Sequence, residues 1–378
     1  MEYLHLEKLN IKTSLLGFGT MRFPLTSEGK IDELLAEEMI DYAYQSGVNY
    51  YDTAFPYHNG DSEPFVGRVL NKYPRDSYFL ATKLPMWLVN NLEDVKAMFE
   101  NQLKRVDKEY IDFYLLHSMN KIQFEKVKRE NILSHLIELK KQGKIKYLGF
   151  SFHDSYEVFE EMINYYDWDF CQIQFNYTDT EEQAGMKGYK LAEEKGIPLV
   201  IMEPIKGGTL ANLPEDINCL LSEREPNMST ASWALRWVAQ FPNIKVILSG
   251  MSNFDQVKDN INTFNNYKPL TKEDNEVIDE VVSRLTLRIK NNCTNCRYCM
   301  PCPMGVNIPR VFKLWNTYYK FESANVVRYG WNDMMSKNEG PDLCIKCGKC
   351  EKACPQQISI RKDLETANAQ ITTALGKK

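Results

Sequence analysis

The sequence predicts a (β/α)8 TIM barrel followed by a small, mainly helical domain built around cysteines. Three observations carry that expectation. Eight short apolar runs alternate with amphipathic segments of helical period up to about residue 285, the pattern of repeated strand–helix units in a parallel sheet. Eight such units fit a closed barrel of about 250 residues better than an open doubly wound sheet, and no GxGxxG follows the first run to mark a dinucleotide-binding open sheet. Eight of the ten cysteines crowd into Cys293–Cys354, a window of 62 residues, while the other 316 hold only Cys171 and Cys219. Residues 1–285 are therefore read as the barrel and 286–378 as the second domain.

The strands expected are 15–19, 48–52, 78–82, 111–116, 145–151, 170–175, 198–202 and 246–249, each a short run rich in branched or aromatic residues. Between them, 34–44, 95–106, 133–141 and 231–239 place apolar residues at helical spacing. Gly47, Gly143 and Gly196 each follow a helical pattern and precede a strand, where a helix C-terminus favours glycine. Residues 4–13 are expected to form a small hairpin ahead of the barrel.

Composition narrows the function classes. Hydrophobic residues are 43% and charged residues 26%, an ordinary globular mixture. The net charge of −5 arises from 46 basic and 51 acidic residues spread along the chain, so no basic face is set out for nucleic acid. No run approaches the ~20 apolar residues of a membrane span, and the start MEYLHLEKLN lacks a signal peptide's pattern. A soluble, cytoplasmic protein acting on a small molecule is expected, with its oligomeric state open.

Barrel enzymes collect their chemistry at the C-terminal ends of the strands. There the sequence sets Asp52, Lys83, His117 and Ser151, at intervals of 31, 34 and 34 residues, close to the ~31 expected of one βα unit. Tyr57 follows on the loop after Asp52. A lysine ammonium beside a phenol favours phenolate, an aspartate holds that lysine charged, and a histidine orients a carbonyl or relays a proton. Singly, Lys83 reads as a rim ion pair and His117 as a bonded core histidine. At consecutive strand ends the four together read as an acid–base site for interconverting a carbonyl and an alcohol.

In these pieces the chain resembles the aldo/keto reductase superfamily over roughly residues 1–265: Gly17-Phe-Gly-Thr-Met21, Tyr51-Asp-Thr-Ala-Phe-Pro-Tyr57, Ser62-Glu63 with Gly67, Ala81-Thr-Lys83, Ile111-Asp-Phe-Tyr-Leu-Leu-His117, Gly149-Phe-Ser151, Gln172-Ile-Gln-Phe-Asn176 and Pro204-Ile-Lys-Gly-Gly208. The resemblance implies Tyr57 as general acid, Asp52 and Lys83 as tuners of its acidity, and His117 as the substrate-orienting group. It implies NAD(P)H across the barrel mouth. Gly19, Thr20 and Met21 would border the ribose, with Ser151, Gln172 and Asn176 around the carboxamide and Met202 beneath the nicotinamide ring. Phosphates would meet Lys206, Gly207 and Gly208, and Ser249 and Gly250. Gln256 and Asn260 fall at the adenosine end, where Met251–Asn253 and Asp259 also supply no cation for a 2′-phosphate, so NADH and NADPH both stay open. Ser151-Phe-His153 replaces the more usual Ser-Asn pair. Trp87, Phe23, Phe55 and His58 are candidate pocket walls.

The tail carries Cys293-x2-Cys296-x2-Cys299-x2-Cys302-Pro and Cys344-x2-Cys347-x2-Cys350-x3-Cys354-Pro. The second run has the bacterial [4Fe–4S] spacing, and the first is one residue short before its last cysteine. Zinc, which needs only two CxxC pairs, is the weaker reading of eight cysteines in this order. By analogy with two-cluster ferredoxins, Cys293, Cys296, Cys299 and Cys354 would hold one cluster and Cys302, Cys344, Cys347 and Cys350 the other. The 41 intervening residues include 311–319 at helical spacing and the aromatics Trp315, Tyr318, Tyr319, Phe321, Tyr329 and Trp331, expected to pack around the clusters or on the barrel. Cys171 and Cys219 read as incidental thiols.

The whole architecture resembles the ferredoxin-domain-bearing aldo/keto reductases of anaerobic bacteria. Hydride transfer moves two electrons together while a cluster passes one, so the clusters read as structural, as regulatory, or as serving a flavin or radical step. A redox partner protein is a further expectation. The alternatives to a carbonyl reductase are an electron-transfer protein with a scaffold barrel and a redox sensor.

Overall fold

The computed structural model describes residues 1–376. They form two compact units, one of residues 1–211 with 228–272, the other of 212–227 with the residues from 273 onward.

The first unit is a closed parallel barrel. A hairpin of β1 (Tyr3–Leu6) and β2 (Ile11–Ser14) precedes β3 (Leu16–Gly19), β4 (Tyr50–Asp52), β5 (Phe79–Pro85), β6 (Ile111–Met119), β7 (Ile145–Phe152), β8 (Phe170–Gln174), β9 (Leu199–Met202) and β10 (Ile244–Gly250). The hairpin strands pair only with each other; from β3 onward each strand pairs with the next, and β10 closes on β3 through Ser249 opposite Phe18 and Gly250 opposite Gly19. All eight expected strands and the hairpin are present. The runs β5 and β6 extend three residues past their predicted ends, because continuous apolar burial on both faces leaves no periodicity to mark where a parallel strand stops.

The hairpin closes the N-terminal end. Leu6 is fully buried in one cluster with Tyr50, Ala81, Phe113, Phe170 and Val246. Backbone and side chain fix it there: Ser14 N donates to Asn49 Oδ1 (2.7 Å), and Thr13 Oγ1 donates to Lys245 O (3.3 Å). Outside the barrel, Gly67 lets the helix Ser62–Leu70 touch its neighbour Leu92–Val106. A Cβ there would lie 2.2 Å from Val106 O, so a side chain at that point would force the two helices apart.

The second unit is helical. Ile308–Phe321, Ala324–Ser336 and Ile360–Ala374 bury Val311, Phe312, Trp315, Val327, Trp331, Leu364 and Ile371 in one core. Pro309 fits the first turn of its helix, where the missing N–H has no partner to lose. Trp315 Nε1 donates to Gln370 Oε1 (2.8 Å), which satisfies the one polar atom of a buried ring. Trp315, Phe321 and Trp331 are buried and Tyr318 and Tyr319 pack against the core, whereas Tyr329 is 83% exposed. Among the described residues no helix is long and apolar enough to cross a membrane.

Candidate active site and thiol cavities

Parallel register carries the rim residues to one mouth. Gly19 pairs opposite Asp52, Ser151 opposite Gln172, and Gln174 opposite Met202. Asp52, Lys83, Ser151 and Gln172 are buried there. The Lys83 ammonium donates to Asp52 Oδ1 (2.6 Å), to Thr53 O (2.8 Å) and to Tyr57 Oη (3.3 Å). Three acceptors around three N–H bonds fix its direction. Tyr57 reaches it from a tight turn, Tyr57–Gly60, in which His58 and Asn59 adopt left-handed backbone. His58 Nε2 donates to Thr20 O (3.0 Å), tying that turn to the loop after β3.

Electrostatics at this point is a contest between burial and the ion pair. Burial would strip the proton from Lys83, but Asp52 and Tyr57 hold its pKa above the ordinary lysine value. Burial raises the Asp52 carboxyl, opposed by the Lys83 charge and a hydrogen bond from Gln172. For Tyr57 burial outweighs the lysine, so the phenol lies above its usual value and stays protonated at neutral pH. The sequence led to the expectation that the lysine acidifies the phenol, and that pull is present here. A charge at 3.3 Å does favour phenolate, but excluding water from the oxygen costs more.

His117 lies across from Tyr57 with ring centroids 6.2 Å apart, and Trp87 flanks it at 5.0 Å. Burial first, then the charges of Lys83 and His153, hold His117 well below the usual histidine value, so it is neutral at pH 7. Three buried polar atoms at this mouth have no hydrogen-bond partner: Asp52 Oδ2, His117 Nδ1 and Gln172 Oε1. Desolvated and unpaired, they are costly unless a ligand meets them.

The remaining rim residues divide by what already holds them. The Thr20 hydroxyl donates to Asp52 O (3.0 Å) and lies 2.8 Å from Ser62 Oγ, inside the wall. Ser151 Oγ accepts from Ser118 N (2.8 Å). Asn176 donates to Asp179 Oδ2 (3.0 Å) and to Glu203 O (3.2 Å). Lys206 donates to Asp179 Oδ1 (2.6 Å) rather than standing free. Asn260 donates to Ser249 Oγ (2.8 Å), and Gln256 Oε1 accepts from Ser252 N (2.7 Å). Gly207 and Gly208 both have positive φ, and Met21 is 55% exposed at the mouth. Of the expected walls, Trp87 meets His117. Phe23 packs with Phe65 and His58, and Phe55 lies under the Arg105 guanidinium.

Three features have partners that the sequence pattern did not assign, although Glu63 and His153 themselves stand in its motifs. Arg22 is exposed, and a Cβ on Gly250 would meet its Cγ at 3.2 Å, one on Gly207 its Nη2 at 3.3 Å. This places a cation beside two loops, one of which has its own lysine, Lys206, already paired with Asp179. Glu63, fully buried, accepts from Thr82 (2.6 Å), Gln102 (2.7 Å) and Arg105 (2.7 Å), while Gln102 also donates to Lys83 O (3.0 Å). Beside His153, Gln183 donates to Gln174 (3.0 Å), which donates to Asp179 (3.0 Å).

In the second unit the thiols ring two cavities. Cys293, Cys296, Cys299 and Cys354 line one, and Cys302, Cys344, Cys347 and Cys350 line the other, with Cys299 and Ile308 in the wall of both. Electrostatic interaction links Cys299 to Cys293, Cys296 and Cys354, and Cys350 to Cys344. Each set draws one cysteine from the opposite run. Thiols set around a cavity leave room for a multi-atom inorganic core.

Comparison with known proteins agrees with both units. The aldo/keto reductase family model matches residues 15–283, and the 4Fe-4S dicluster domain model matches residues 292–359. The chain is 25% identical over 312 residues to the NADH-specific methylglyoxal reductase of Escherichia coli (strain K12), covering 70% of this chain and 94% of the relative. It is 32% identical over 148 residues to a probable aldo-keto reductase of Glycine max, covering 37% of this chain but only 42% of that relative. The holo form of aldo-keto reductase AKR11C1 from Bacillus halodurans superposes with a TM-score of 0.64 at 27% identity, covering 74% of this chain and 96% of that one. The chain belongs to the aldo/keto reductase family and is an oxidoreductase of that family joined to a 4Fe–4S dicluster domain.

Proposed function

We propose that the protein interconverts a carbonyl and an alcohol on a small molecule, using a bound nicotinamide cofactor, with Tyr57 as general acid and base. The observation that carries this reading is the Lys83 ammonium held between Asp52 Oδ1 at 2.6 Å and Tyr57 Oη at 3.3 Å. The lysine hydrogen bond steadies the phenolate that remains once the Tyr57 proton has passed to a substrate oxygen. Asp52 keeps the lysine charged. His117, neutral, offers the same oxygen a second polar contact that fixes its orientation.

Bound NAD(P)H would supply the hydride. Gln172 Oε1, buried and unpartnered, suits the amino group of a carboxamide. Arg22, Gly207, Gly208 and Gly250 suit phosphates, with open backbone and a cation nearby. The E. coli relative, NADH-specific and acting on methylglyoxal, favours testing NADH and small aldehydes first. In the second unit, Cys293, Cys296, Cys299 and Cys354 would hold one cluster and Cys302, Cys344, Cys347 and Cys350 the other. Eight thiolate ligands suit the reducing conditions of the cytoplasm.

The test is anaerobic oxidation of NADH and NADPH by cluster-replete protein against a panel of aldehydes and ketones. Saturable turnover that Tyr57→Phe abolishes supports the reading. No turnover with any substrate overturns it.

A further inference from the structure

The two thiol cavities have different walls. The first is backed by the core residues Ile308, Phe312 and Ile360, each 1% exposed or less. The second opens among Tyr298, 70% exposed, Ile345, 62%, and Met304, 41%. These are three of the large exposed hydrophobics of the whole chain, gathered around one opening. Scattered apolar side chains on a surface need no explanation, but a group rimming one site marks an interaction surface. Cys347, at its edge, is itself exposed.

Charge gives the same rim a sign. The charged residues lining the second cavity, Lys349 and Arg361, are both cations. The segment 344–354, which supplies Cys344, Cys347 and Cys350 to this lining, carries Lys346, Lys349 and Lys352 against one acid, Glu351. Glu351 is paired with Arg361 (2.7 Å) and Lys346 with Glu365 (2.8 Å). The side chains of Lys349 and Lys352 have no hydrogen bond or ion pair among the described residues. Cations in the lining balance the thiolates, and Lys346 and Lys352 stand outside it.

We propose that the rim of the second cavity, Tyr298, Met304 and Ile345 with Lys346, Lys349 and Lys352, is the docking site of a small acidic one-electron carrier protein. This rests on the proposed division of the cysteines between two clusters. An apolar centre with a cationic border is how a transient partner of opposite charge is steered and then seated. A cluster held by Cys302, Cys344, Cys347 and Cys350 would accept the one electron that the reduced carrier gives up, with no bond made and no proton moved.

The test uses the full-length holoprotein, an acidic bacterial ferredoxin and a flavodoxin as probes, and two readouts. One is association by calorimetry across a salt series. The other is the bleaching of the visible cluster absorption in stopped flow. Wild-type association and reduction are expected to weaken as salt rises. Lys346→Glu with Lys352→Glu should slow reduction by the carriers at least tenfold at low salt, and Ile345→Asp should do likewise. Dithionite, which needs no docking, should reduce all variants at the wild-type rate, and iron content should be unchanged. Lys337→Glu, on the helix Ala324–Ser336 side, is the charge control and should behave as wild type. Absence of saturable association for both carriers, or equal rates in wild type and the reversed variants, overturns the proposal. Wild-type protein lacking iron would overturn the division of the cysteines instead.

Discussion

The barrel mouth and the cysteine unit solve the same problem, holding reactive groups in place, by opposite means. At the mouth the polypeptide does all of the fixing: three acceptors aim one ammonium, and a buried Glu63 network ties the strand behind it. In the cysteine unit the thiols face cavities, and the segments between Cys293 and Cys302 carry no helix or strand. The inorganic core would supply that order when bound, much as a structural metal folds a small domain. One site is preorganised without its ligands and the other is completed by them.

The largest effect that could break this contrast is cluster removal. Stripping iron anaerobically with a chelator should abolish a separate unfolding transition of the second unit, since binding energy of a structural metal, ~10 kcal/mol or more, is also folding energy. Differential scanning calorimetry should then leave the barrel transition in place. An unchanged second transition would mean the helices around Trp315 and Trp331 stand alone.

Next comes Tyr57→Phe. Loss of the acid should lower kcat by roughly 10²–10⁴ with the unfolding midpoint unchanged, because the lysine keeps Asp52 and Thr53. Steady-state rates beside a melting curve check both halves of that statement. Lys83→Met attacks the preorganisation itself. It strands the buried Asp52 carboxylate, and breaking a buried pair costs about 3–5 kcal/mol. Denaturant titration should show that loss, and a recovery on acidification as Asp52 takes up a proton.

The smallest effect concerns His117. Its folded pKa is depressed by burial, Lys83 and His153, so the unfolded chain binds more protons below the ordinary value near 6.5. Its contribution to stability is complete above that pH and is lost as pH falls below it. His117→Asn should therefore flatten the stability profile between pH 7 and 5, and an equal slope in both proteins would contradict it.

Much of this was legible in the residues, for reasons that also explain the rest. Asp52, Lys83, His117 and Ser151 announce themselves because a barrel repeats, and each strand end returns at nearly the same interval. The cysteines do so because short spacings are local. Arg22 had no such marker: its use depends on glycines more than 180 residues away. The pairing of Lys206 with Asp179 was not legible either, since loop geometry sets it rather than period. For the phenol of Tyr57, a sequence shows which charges are near but not how much water has been removed.

The hairpin under the barrel bears on access. Leu6 completes a packed layer with Tyr50, Ala81, Phe113, Phe170 and Val246 at the N-terminal end, and side chains fill the barrel above it. Solvent and small molecules therefore reach the buried polar atoms from the mouth side, and a substitution in the hairpin should change stability while leaving that approach as it is.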